Sequence, residues 1–317
     1  MSGARGRSAG AALLAVIAFA AWLSVGYFGY ELITEIAILA IFAMSLDLLV
    51  GFAGMVSLGH AAFYGIGAYA IAACTTMLGW SAFPAMALAV AASAAVAGIV
   101  GAFAVRLGGV FFIMVTLAIG EAVHAYLFNA RAFGGDDGLA GVSQLDLGAI
   151  GIDLADPRAF AAFALIATGL SYAILETVVR SPFGCLLVAI HQNERRARAL
   201  GCRVERVKLG AFTLAGAFAG LAGTLTAQHT RFISPELLAW TVSGEALIVV
   251  IVGGMGSLVG PAAGAAVIVL AKYWVSGATE FWMLCMGLAF IAVVVLAPNG
   301  LYASLAALRR RLRRVVC

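Results

Sequence analysis

The chain has 317 residues, 64% of them hydrophobic and 11% charged, and a mean hydropathy of +1.07, which leaves too little polar surface for a water-soluble globule. Its formal charge of +4 reflects basic residues placed at particular loops and gives no reason to expect a nucleic-acid partner. Five scattered cysteines (Cys74, Cys185, Cys202, Cys285, Cys317) show no CxxC or Cys/His ligand spacing, so neither a disulfide nor a metal site is expected.

In chain order, Arg5 and Arg7 precede an apolar run at 11–28, in which Ala18-Phe19-Ala20 resembles a cleavage site. The run continues past that point, which favours a retained first span. Crossing a hydrocarbon core of about 30 Å takes roughly 20 helical residues, and further runs of that order lie at 33–50, 56–78, 83–105, 110–128, 159–179 and 208–228. A Gly-rich pair follows at 244–253 and 258–274, flanking Gly253, Gly254, Gly256 and Gly260, and a last run lies at 281–297. The runs lack the alternation of a barrel, and only helices or closed barrels satisfy backbone groups in lipid. The expected fold is all-α: a polytopic transmembrane helix bundle of about ten spans, one domain over residues 1–317, with a Gly-rich broken hairpin at 244–274.

With the N-terminus in the cytoplasm, alternation puts 15 of the 19 Lys and Arg on the inner side, including seven in the loop 180–208 and five in the tail 303–317. The loop 129–158 falls outside and carries Asp136, Asp137, Asp146, Asp153 and Asp156, enough chain for a small cap or lateral helix. In the inner loop Ser181-Pro182 reads as a helix start and Gly201 as a stop. Phe183, Leu186, Leu187 and Ile190 form an apolar stripe, and in a continuous helix the same face carries on through Glu194, Ala197 and Gly201. Arg195, Arg196 and Arg198 lie to the sides and rear. One or two arginines suffice to set topology, so the segment reads as a docking element.

The string AIHQNERRARALGCRVERVKLGAFTLAGAFAGLAGTL (189–225) resembles the coupling loop and following helix of LivM-type permeases of branched-chain amino acid ABC importers. DLLVGFAGMVSLGHAAFYGIGAYA (47–70) is similar to that family's GxxGxxSLGHAAFxGIGAY signature. RLGGVFFIMVTLAIGEAVHA with GGDDGL, GGMGSLVGPAAGAAVIVL at 253–270 and PNGL at 298–301 agree in the same order. Asp47 departs from the more usual Asn, and GGDD from the more usual TGG-type run. The resemblance implies a permease of a bacterial inner membrane that partners ABC ATPase subunits, a homologous second permease and a soluble substrate-binding protein. It also implies ATPase coupling through Glu194, Arg195, Arg196, Ala197, Arg198 and Gly201.

Ser57 and His60 stand at membrane depth in a segment dense in Gly51, Gly54 and Gly59, glycines that permit close packing or a helix break. They and Glu121 are the candidate pathway residues, although His60 reads equally as a packing histidine. Asp47, Glu121 and His124 are ionisable groups inside apolar spans, and a structural tie between helices explains them as readily as substrate contact. The two lysines, Lys208 and Lys272, follow no GxxxxG, so the chain has no phosphate-binding loop, no ATP chemistry of its own and no expected cofactor. An ion-coupled secondary transporter or channel, with Asp47, Glu121 and Glu245 as coupling groups, is the rival reading; it leaves the basic loop unexplained.

Overall fold

The computed structural model describes residues 26–146 and 153–296, together with Ala18 and Trp22. The expected span at 11–28 lies largely outside the described residues, and the PNGL string and the basic tail lie wholly outside them. The described chain is a helix bundle with one two-stranded ribbon: α1 (Tyr27–Asp47), α2 (His60–Thr76), α3 (Ala82–Ala104), α4 (Val110–Asn129), α5 (Pro157–Arg180), α6 (Pro182–Gln192), α7 (Glu194–Ala199), α8 (Val204–Thr230), α9 (Trp240–Gly253), α10 (Val259–Ala278) and α11 (Trp282–Leu296). Among the described residues six helices are long and apolar enough to cross a membrane, against the ten expected; α6, α9 and part of α11 are apolar but shorter.

The central element is α1, which packs against α5, α8, α9 and α10 and runs on into a π-helical turn at Leu48–Phe52. Residues 40–50 are all buried, because α1 is apolar on every side where neighbours surround it. A second packing unit joins α2, α3 and α8. On α3 the small residues Ala85, Ala89, Ser93 and Ala97 recur every fourth position and are buried. They meet Gly216 and Gly220 of α8, where an added Cβ would run into Ala97 and Ser93, and Gly220 in turn sits against Gly67 of α2. Lipid supplies little drive for helix association, so contact of this kind relies on backbones that approach closely.

At one end of the bundle, 3-10 turns at Arg131–Phe133 and Gly135–Asp137 lead into β1 (Leu139–Ala140), which pairs antiparallel with β2 (Phe232–Ile233). Buried Gln228 latches this cap: its Oε1 accepts the Leu145 N–H at 2.9 Å and its carbonyl accepts from Gln144 at 3.0 Å. The other end carries α6 and α7. The Gly-rich region is a hairpin of unequal arms, 14 residues in α9 and 20 in α10, joined by a turn over Gly254–Leu258.

Candidate functional site

The signature segment is not helical throughout. The π-helical turn ends at Phe52, the chain is extended or turned from Ala53 to Gly59, and α2 begins at His60. Asp47, fully buried just before that turn, accepts the Gly256 N–H on Oδ1 at 2.7 Å and the Leu258 N–H on Oδ2 at 3.1 Å. Its carboxylate thus satisfies two donors of the hairpin turn that no helix can satisfy, since Leu258 sits at φ 55° and Gly256 at φ 73°. Gly51 lies so close to Gly256 that a Cβ there would strike its backbone nitrogen.

Ser57 and His60 are both fully buried within the chain. The His60 Nε2 lies 2.8 Å from Ser45 Oγ, and the ring stacks on Phe42 at 5.4 Å, so it ties α2 to α1. Among the described residues Ser57 Oγ and His60 Nδ1 have no hydrogen-bond partner. Glu121 is brought to neither of them. Its Oε1 accepts the first N–H of α9, from Trp240, at 3.2 Å, and its Oε2 lies 3.6 Å from His124 Nδ1. Gly59 packs on the Thr116 carbonyl, Gly253 on the Gly260 carbonyl, and Gly260 on that of Gly254.

The basic segment departs from the expected continuous helix. Asn193, at φ −160° and ψ 97°, ends α6, and its side chain caps α7 by accepting the Arg196 N–H at 2.9 Å. Asn before Glu is a strong N-cap signal, and it was legible in the sequence. Ser181 caps nothing: its hydroxyl donates back to the Val178 carbonyl at 2.6 Å. The break turns the expected face around. Ala197 is buried with Ile190 and Val204, and Glu194, still half-exposed, is tied back to α8, accepting from Lys208 Nζ at 2.6 Å and from Arg198 at 3.0 Å. Arg198 also reaches Glu205 at 2.7 Å, so four charged groups clamp α7 on the start of α8. What remains outward is Arg195, Arg196, Arg198, Gly201 (φ 85°) and Leu200, an aliphatic side chain 82% exposed at the tip. An open hollow of about 580 Å³ lies beside it, lined by Glu194, Arg195, Arg198 and Ala199.

A second hollow of about 280 Å³ joins the basic segment to the signature segment: Ala53–Val56, the α3–α4 turn at Leu107–Gly109, and Ile190–Glu194 share it. There the His191 ring of α6 packs directly on Gly54, whose φ of 70° and lack of space both exclude a side chain. Sequence reasoning missed this contact, since nothing in either segment alone reports the other.

A lipid-compatible helix bundle with a basic outrigger and a broken signature helix has the architecture of a multi-pass membrane protein. The chain belongs to the family described as branched-chain amino acid transport system, permease component, which matches residues 28–294. It is 31% identical over 312 residues to the high-affinity branched-chain amino acid transport system permease protein LivM of Salmonella typhimurium, covering 91% of this chain and 73% of that one. The LivM protein of Escherichia coli is 30% identical over 295 residues, covering 86% and 69%. A probable branched-chain amino acid transport permease protein LivM of Methanocaldococcus jannaschii is 28% identical over 160 residues, covering 49% and 45%. No solved structure matches the chain.

Proposed function

We propose that the chain is one of two homologous permeases of an importer driven by separate ATPase chains and fed with branched-chain amino acid by a soluble binding protein. It lies in a bacterial inner membrane, with the basic segment and both termini in the cytoplasm, where lysine and arginine collect. The substrate assignment rests on the relatives' names, and the orientation on the charge distribution.

The observation that carries the coupling role is Leu200, 82% exposed and ringed by Arg195, Arg196 and Arg198 on a helix that ion pairs hold still. An aliphatic tip facing water gains about 1.5–3 kcal/mol when a partner covers it, and a pre-ordered helix spends little of that on ordering. Residues 189–206 therefore dock on an ATPase, with Leu200 and Gly201 at the contact and Glu194 and Ala197 supporting from behind. Glu121 and His124 border the substrate path, whereas Ser57 and His60 hold the broken helix that flanks it. Leu200→Glu in the assembled importer tests the reading: uptake of leucine falls at least ~10-fold and the ATPase chains are lost on purification, while membrane insertion of the permease is unchanged. Parental uptake and ATPase recovery in this variant refute the docking role.

A further inference from the structure

Among the described residues the first half of α1 is open to its surroundings on one broad side. Phe28, Leu32, Glu35, Ile36 and Leu39 fall on that side at helical spacing, with Glu31 beside it, and below Leu39 every residue from 40 to 50 is buried. The opening therefore starts at the end that carries the ribbon cap and closes halfway along the helix. Glu35 is exposed although it sits about 10 Å inside a 25-residue apolar segment. On the neighbouring hairpin Glu245 and Lys272 face each other at 3.8 Å, each 41% exposed. Glu245 lies about 12 Å along α9 from the turn and Lys272 about 20 Å along α10. Glu35 and Glu245 both lie within electrostatic reach of the Tyr64 hydroxyl. Nearer the cap Glu31 pairs with His229 at 3.1 Å.

Ionisable side chains at this depth do not face lipid; they face a water-filled path or a charged partner. A dry interface with a second subunit would bury an excess of carboxylates over cations, which is expensive without matching charge. We propose that Glu35, Glu245 and Lys272 line the outward half of the translocation path and receive a zwitterionic amino acid, the carboxylates meeting its ammonium group and Lys272 its carboxylate. The contact is open and half-solvated, which suits a site that must release what it takes. This inference rests on the import reading above and adds the residues that read the substrate's charges.

The test uses the complete importer, with the native cysteines of this chain replaced, reconstituted in vesicles with its cap end outward. Cysteine at position 35 or 245 reacts with an impermeant, water-soluble thiol reagent in the assembled importer. Ala43→Cys, buried on the same helix, stays inert. In parallel, Glu35→Gln and Glu245→Gln lower leucine uptake at least ~10-fold with unchanged recovery of the assembled complex, and Glu245→Asp restores part of it. Cysteines at 35 and 245 that are inert in the assembled importer place these groups in a subunit contact and overturn the proposal. So does parental uptake by both glutamine variants. If the parental importer moves no branched-chain amino acid, the functional reading fails and the inference falls with it; if the parent works and the variants work equally, the inference alone fails.

Discussion

Asp47 decides more than its position in an apolar run suggests. Both carboxylate oxygens hold backbone N–H groups of the hairpin turn, at 2.7 and 3.1 Å, in a place closed to water. Asp47→Ala leaves two buried donors unsatisfied, at about 1–3 kcal/mol each. The variant is expected to lose about 2–6 kcal/mol in denaturant unfolding of the detergent-solubilised protein. Asp47→Asn keeps one acceptor oxygen and should lose about half as much. A variant as stable as the parent would show that the turn holds without this tie. The same geometry answers the ion-coupling reading of Asp47: its charge is already committed within the fold.

At the scale of elements, the contact between α6 and the helix break links the basic outrigger to the bundle. His191 fills the space over Gly54, and six residues upstream of Gly54, at Leu48, begins the π-helical segment that follows directly on Asp47, whose carboxylate holds the hairpin turn. Gly54→Ala adds a methyl at positive φ, worth about 1–2 kcal/mol in backbone strain, and pushes into the imidazole. The expected outcome is a less stable permease whose uptake falls while ATPase binding persists. His191→Ala should relieve the steric part but not the strain, so the double variant is less damaged than the sum of the two. Strict additivity would mean that ring and methyl never meet. The packing of α3 on α8 gives a second check. Gly220→Val places a branched side chain against Ser93 and the Phe63 carbonyl, and is expected to prevent recovery of folded permease altogether.

For the whole molecule, the proposed function pairs the chain with a second, homologous permease, so that each copy would supply one wall of a path and the pair would present two α7 tips to two ATPases. Expression of this chain with the ATPases and the binding protein, but with no second permease, is expected to give no uptake above background. Full uptake from that set would make the chain a homodimer. Of the ten expected spans the first lies largely outside the described residues, and among those described α9 falls short for a physical reason: apolar runs report burial in any apolar surroundings, whereas a crossing also needs length, and α9 reaches only about 21 Å at 1.5 Å per residue.

The sequence by itself determined the membrane-embedded helical class, the family and the place of the basic loop. Each of these rests on composition, short-range periodicity or contiguous motif letters, and none needs a contact between distant residues. Only the tertiary structure decided which side of α7 faces out, because one capping residue, Asn193, rotates Ala197 inward and leaves Glu194 tied back to α8 and Leu200 exposed. It also separated Ser57 and His60, fully buried within the chain, from Glu35 and Glu245, which are partly open to the surroundings on α1 and α9. In lipid every polar residue of a span is equally improbable on its own, and what distinguishes a helix tie from a path residue is the neighbour that packing places beside it.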